Sequence, residues 1–125
     1  MLDVLIAFFI SSNLQVSHPR FEGANLDKNK LLYTRASDLA AKHNCTPPQL
    51  ALAWVMHQGE DVVPIPGTTK IKNLDNNIAS LKVKLTEEDL KKISDAVPMD
   101  EVVGGREDDD FSEYNWEFAY TPLKS

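Results

Sequence analysis

The spacing of apolar residues changes along this chain, and the changes divide it into elements. Residues 1–10, Met1-Leu2-Asp3-Val4-Leu5-Ile6-Ala7-Phe8-Phe9-Ile10, form a nearly unbroken apolar run. The Val, Ile and Phe content predicts a strand, although the length also suits a helix. Ser11 to Ala24, with Ser17-His18-Pro19 and Gly23, reads as irregular loop. From Leu26 to His43 the period becomes helical. Leu31, Leu32, Tyr33, Ala36, Leu39, Ala40 and His43 give an apolar stripe, Asn25 can cap it, and Asn44-Cys45 ends it. A second helix starts at Thr46, with Pro47 at the first helical position and Gln49 completing a capping box. Leu50, Ala51, Ala53, Trp54, Val55 and Met56 fill its body, with Trp54 read as core, and Gly59 stops it.

Val62-Val63-Pro64-Ile65 is a short apolar run between helices, as expected of a parallel strand buried on both faces. Ile71–Leu81 is helical again, with Leu74, Ile78 and Leu81 on one face. Thr86 caps a last helix whose first turn carries Glu87, Glu88 and Asp89, favourable at the positive end of a helix dipole. Leu90, Ile93 and Val97 supply its buried side, and Pro98 ends it. Beyond Met99 the pattern dissolves through Gly104-Gly105 and Glu107–Asp110. An aromatic cluster follows, Phe111, Tyr114, Trp116, Phe118 and Tyr120, and reads as a tail packed on the domain. One firm strand is too few for a closed α/β domain. The order helix, helix, strand, helix, helix therefore reads as part of a larger sheet or barrel.

The junction at Pro66-Gly67-Thr68-Thr69-Lys70 carries the candidate chemistry. A strand that stops at a Gly-containing turn and feeds a helix N-terminus can hold an anion. The first helical turn has unpaired N–H groups and the positive dipole end. Thr68 and Thr69 add hydroxyls, and Lys70 and Lys72 add charge. The spacing is neither G-x-x-x-x-G-K-[ST] nor G-x-G-x-x-G. An ordinary helix start after a strand explains the same residues, and chemistry alone leaves both readings open.

Composition narrows the classes. The chain has 125 residues, with 42% hydrophobic and 26% charged, enough for one small soluble domain. The net charge of −6 lies in the tail, where Asp100, Glu101, Glu107, Asp108, Asp109, Asp110, Glu113 and Glu117 outnumber Arg106 and Lys124. Between Pro64 and Lys84 the sign reverses, because Lys70, Lys72, Lys82 and Lys84 face only Asp75. A local basic spot in an acidic chain suits a small anionic ligand and argues against nucleic acid. Cys45 is the single cysteine, which excludes an internal disulfide and agrees with a cytoplasmic location. His18, His43 and His57 are scattered without metal-ligand spacing. Residues 1–10 are too short to span a bilayer, which needs roughly 20, and lack the basic start of a signal peptide. No membrane partner is expected.

These residues carry a family resemblance. Cys45-Thr46-Pro47-Pro48-Gln49-Leu50-Ala51-Leu52-Ala53-Trp54, then Val63-Pro64-Ile65-Pro66-Gly67-Thr68-Thr69-Lys70 and Asn76-Asn77, resemble the C-terminal third of an aldo-keto reductase. The likeness is strongest to the plant branch that includes perakine reductase and the auxin-induced-type reductases. Leu85-Thr86-Glu87-Glu88-Asp89-Leu90, Asn115-Trp116 and Ser17-His18-Pro19-Arg20-Phe21 fit as well. The resemblance runs from about Val16 to the end, and residues 1–15 match poorly. It divides the chain into a divergent segment, 1–15, a barrel portion, 16–99, and an acidic aromatic tail, 100–125.

The resemblance implies an α/β fold, here the C-terminal portion only of a (β/α)8 TIM barrel, mostly helical with one or two parallel strands. It implies NADP(H) as cofactor and reduction of aldehydes and ketones. Gly67, Thr68, Thr69 and Lys70 match the phosphate-binding loop. Asn73, Asn76 and Asn77 match the helix positions that reach the 2′-phosphate and the adenine. Many relatives carry arginine where Asn73 stands, so Lys70 or Lys72 is expected to supply the charge that selects NADP over NAD. The catalytic Asp, Tyr, Lys and His of the family fall outside this chain, so no catalytic residue is assigned. Tyr33, Tyr114 and Tyr120 are at non-catalytic positions. The alternative is a non-catalytic truncated fragment or incomplete gene model, at most a nucleotide-binding remnant. A small carbonyl substrate is implied only for a complete barrel.

Three structural expectations follow. The helices Leu26–His43 and Thr46–Gly59 pack against the Val62–Ile65 strand. Leu2–Ile10 pairs beside that strand. Exposed edges and apolar patches favour self-association.

Overall fold

The computed structural model describes residues 22–104. Every regular element among them is helical: α1 (Gly23–Lys42), α2 (Pro47–Met56), α3 (Ile71–Ala79) and α4 (Glu87–Ala96), with single 3₁₀ turns at Ser80–Lys82 and Met99–Glu101. None of these helices is long and apolar enough to cross a membrane. The apolar run 1–10, His18, the segment 1–15 and the tail beyond Gly104 lie outside the described residues.

The ends of the elements follow from local chemistry. Helix α1 begins two residues before the expected cap, with Glu22 at the N-cap and no side-chain cap. Its far end is set by Asn44, whose φ of 52° is left-handed. The Asn44 N–H then reaches the Ala41 carbonyl at 3.1 Å and the Cys45 N–H reaches Ala40 at 3.0 Å, the paired bonds of a Schellman stop. Helix α2 opens on the expected capping box of Thr46 with Gln49, and α4 on the expected Thr86 cap, which the structure completes into a capping box with Asp89. Caps of this kind are worth about 1 kcal/mol each.

Packing runs α4–α1–α2–α3, each helix against the next. Leu32, Ala36 and Ala51 form one buried cluster with Val97, and Ala40, Leu50 and Ile93 form the other. Small alanines on the facing sides of α1 and α2 let the two helices approach closely, and Leu50 and Ile93 fill the space where α1, α2 and α4 meet. Trp54 borders this cluster, and its indole N–H donates to Ser94 Oγ at 3.2 Å. In α1 the buried stripe is narrower than the sequence predicts, because Leu31 is exposed.

The strand expected at Val62–Ile65 is not formed. Residues 62–68 carry no regular structure, and Val63 and Ile65 are 78% and 94% exposed. The physical reason is that a strand exists through its ladder, and no described segment lies beside this one to share its hydrogen bonds. The expected packing of the first two helices on that strand is replaced by packing on each other. The expected apolar face of α3 forms as a face, but Leu74, Ile78 and Leu81 are exposed.

Two long-range ties close the bundle. Asn29, fully buried on α1, donates from Nδ2 to the Val103 carbonyl at 2.8 Å and accepts from the Val103 N–H at 3.2 Å. Its amide thus stands in for a strand edge and pins the chain after α4. Arg35 bonds Glu101 at 2.7 Å beside it. Replacing Asn29 by Ala takes their partner from both Val103 backbone groups at a half-buried site, which costs about 1–3 kcal/mol. Amide hydrogen exchange at Val103 is expected to accelerate in that variant while exchange within α2 changes less.

Candidate functional site

The loop from Pro66 to Lys70 is wholly exposed and leads directly into α3. Nothing lies within 4 Å of the place a Cβ would occupy at Gly67, so the loop backbone is open on that side. Within the loop, the Lys70 N–H donates to Thr68 Oγ1 at 3.2 Å, which turns the chain towards the helix. Lys70 is the N-cap of α3 and makes no side-chain hydrogen bond to the helix start. The capping boxes of α2 and α4 satisfy the same groups there with Thr46 and Thr86. The α3 start therefore presents donors and the positive dipole end to solvent, with the Lys70 and Lys72 side chains exposed beside it.

The asparagines of α3 sit at i, i+3 and i+4, and so share one face, opposite Ile71, Leu74 and Ile78. They are not equally free. Asn76 Nδ2 donates to Thr46 Oγ1 at 3.3 Å, and Gln49 Nε2 donates to the Asn76 carbonyl at 3.2 Å. Asn76 thereby docks α3 on the N-cap of α2. The Asn77 carbonyl accepts from Ser80 Oγ at 2.6 Å, which starts the 3₁₀ turn, and Asn73 is exposed. The structure thus brings Gly67, Thr68, Thr69, Lys70 and Asn73 to one exposed helix mouth, while Asn76 is held by the α2 cap. Sequence reading found the Thr46–Gln49 box but not its second use as the anchor of α3. The signal was the second Asn76 contact partner, which no spacing within one helix encodes.

Titratable groups elsewhere serve the fold. The Thr86 backbone N–H and hydroxyl bond the Asp89 carboxylate at 2.9 and 2.7 Å and hold its pKa below the usual range, with smaller help from His43 and Lys92. His43 Nε2, at the end of α1, lies 3.6 Å from Asp89. Because the folded-state pKa is depressed, this stabilisation is complete above the ordinary carboxylate value of about 4 and is lost as pH falls below it. Asp89→Asn should flatten the fall of the thermal midpoint in that acid window. An unchanged slope would place the acid sensitivity elsewhere. Burial pushes the Cys45 thiol up, which disfavours a reactive thiolate. Among the described residues no group of His, Cys, Asp or Glu could hold a metal ion.

Comparison with known proteins decides the family. The model of the Aldo/keto reductase family matches residues 10–98, more than half of the chain. The chain belongs to the aldo/keto reductase family. It is 60% identical over 108 residues to the "Probable aldo-keto reductase 1" of Glycine max, an alignment covering 86% of this chain and 31% of that protein. The chain thus spans about a third of the length of the curated relative it matches. All four helices of this aldo/keto reductase chain, and the loop before α3, fall within the matched residues.

Proposed function

We propose that this chain is the C-terminal portion of an aldo/keto reductase barrel and carries the clamp for the adenosine 2′-phosphate end of NADPH. The observation that carries the reading is the α3 mouth. An exposed Gly67–Lys70 loop feeds a helix whose first turn has no side-chain cap and is flanked by two lysines. That donor set is cationic and hydroxyl-rich, the chemistry a phosphate monoester requires.

Each residue then has a role. Thr69 and the open backbone at Gly67 approach the phosphates. Lys70 and Lys72 neutralise the 2′-phosphate, and their charge replaces the arginine that many relatives place at Asn73. Asn77 faces the adenine, and Asn76 fixes the angle of α3 through Thr46. When bound, the cofactor supplies hydride for carbonyl reduction. These residues bind and orient its far end and move no proton. In this reading residues 16–99 are the barrel portion, and the family's catalytic Asp, Tyr, Lys and His belong to other parts of the barrel. Val62–Ile65 then becomes a strand once neighbouring strands supply its ladder, and the exposed Val63 and Ile65 lie together on one face of that sheet.

The test is a calorimetric titration of the purified chain with NADPH and, separately, NADH. Binding that prefers NADPH is the expected result. Equal binding of both would remove the 2′-phosphate from the proposal. A well-folded chain that binds neither would show that the clamp needs the rest of the barrel, and the chain's own role would reduce to that of a non-binding fragment.

A further inference from the structure

Gln49 uses both ends of one side-chain amide. Its Oε1 accepts from the Thr46 backbone N–H at 2.9 Å, which closes the capping box at the start of α2. Its Nε2 donates across to α3, to the Asn76 carbonyl at 3.2 Å. The Thr46 hydroxyl, the other half of the box, meets the Asn76 side-chain amide at 3.3 Å. The two residues that cap α2 are therefore the same two that grip α3, and both hold it at one residue.

That residue is at the far end of α3 from the Gly67–Lys70 mouth. The last four carbonyls of an α-helix have no partner in its own ladder. In α3, which ends at Ala79, these begin with Asn76. Backbone N–H groups of the following turn serve Asn77 and Ile78, and Gln49 serves Asn76. The Gln49 bond is part-buried, whereas the Thr46–Asn76 side-chain pair is exposed. A bond shielded from water is the stronger of the two. The grip lies on the side of α3 turned away from Ile71, Leu74 and Ile78, so it is independent of whatever packs on those residues. A grip at one end of a stiff helix sets where the other end points. Asn76 stands six residues beyond Lys70, about 9 Å along the axis at roughly 1.5 Å per residue. Over that length a tilt of about 10° moves the mouth by ~1.5 Å, whereas a hydrogen bond tolerates only a few tenths of an ångström.

We propose that Gln49 is a positioning residue for the nucleotide clamp. Its amide, with the Thr46 hydroxyl, fixes the aim of the α3 mouth without touching the ligand. The effect on binding rests on the cofactor reading above, whereas the grip on α3 is measurable without nucleotide.

Two variants of the whole chain separate the grip from the cap. Gln49→Glu keeps an acceptor for the Thr46 N–H, as glutamate does in capping boxes, and loses the donor to Asn76. Gln49→Met has a side chain of similar length, brings no charge and loses both bonds. Each is read by amide hydrogen exchange and by calorimetric titration with NADPH and, separately, NADH. Expected in both is faster exchange in α3 with α1 and α4 little changed. NADPH affinity should fall by about tenfold, the worth of one charge-assisted hydrogen bond, with NADH little changed. Unchanged α3 exchange in Gln49→Glu would overturn the proposal. So would acceleration spread equally through α1 and α4 in that variant, which would make Gln49 a residue of general stability. A loss of NADPH binding in Gln49→Glu alone would trace to its charge, and a loss in Gln49→Met alone to the α2 cap; either result would sink the positioning role. Should Gln49→Met loosen the whole bundle, the decision is made on Gln49→Glu at about 1 M salt, where the screening length is roughly 3 Å. An α3 exchange rate that returns there to that of the unaltered chain would identify the charge as the cause and overturn the grip. The two readings fail separately. If the unaltered chain binds no nucleotide while α3 exchange responds as expected, the cofactor reading fails and the grip stands. If NADPH binds selectively and neither variant weakens it, the positioning role fails and the cofactor reading stands.

Discussion

Leu50→Ala is expected to unfold most of this chain near room temperature. Leu50 is completely buried on α2 and touches the cluster that Ala40 of α1 and Ile93 of α4 share with it. Truncation removes its contacts with two neighbouring helices and leaves a cavity, because close-packed helices relax only partly. Such substitutions cost about 2–5 kcal/mol. A small domain has only about 5–15 kcal/mol in total, and this one is at the poor end. Among the described residues the buried side chains are few, and four of the nine apolar ones are alanines. Far-UV circular dichroism against urea should show the midpoint falling sharply or the transition disappearing. Leu74→Ala is the matched control. The same atoms are removed from a half-exposed position on α3, and the midpoint should barely move. Equal effects at the two positions would mean that α3 packs against something at its apolar stripe with the strength of a core contact.

Helices were legible in the sequence wherever their information is local. The Thr46–Gln49 box, the Thr86 cap, the Pro47 start and the Asn44 stop all act within a few residues, and each sits where the spacing places it. The α3 helix was legible for the same reason, through the period of Leu74, Ile78 and Leu81. What that period does not contain is a partner, and its apolar face is exposed. The Val62–Ile65 run failed as a strand on the same ground. Its composition states a preference for extended chain, but pairing depends on segments far away in sequence. Asn29 shows the converse. A polar residue inside a helical pattern gave no sign that its amide would be buried and bonded to Val103, 74 residues later. The candidate site divided along the same line. The exposed Gly67–Lys70 mouth came from local sequence, whereas the capture of Asn76 by Thr46 is a contact between elements.

Lys70→Ala is expected to weaken NADPH binding by roughly 10- to 100-fold while leaving NADH nearly unchanged. The argument starts from charge. The 2′-phosphate is the group that distinguishes the two nucleotides, and Lys70 is a cation at the N-cap of α3 whose side chain makes no bond to the helix start. A hydrogen bond to a charged group contributes about 1.5–3 kcal/mol, and each 1.4 kcal/mol is about tenfold in affinity. Removing Lys70 should not disturb the bundle, since the side chain is exposed. The thermal midpoint therefore serves as the control for folding. Salt gives an independent check. Raising ionic strength should reduce NADPH affinity more steeply in the unaltered chain than in the variant, because the variant has one fewer exposed charge to screen. If Lys70→Ala binds NADPH as before but Lys72→Ala does not, the 2′-phosphate lies nearer Lys72, about half a turn further along the helix mouth. If neither change matters while binding persists, the phosphate is not held at α3 at all.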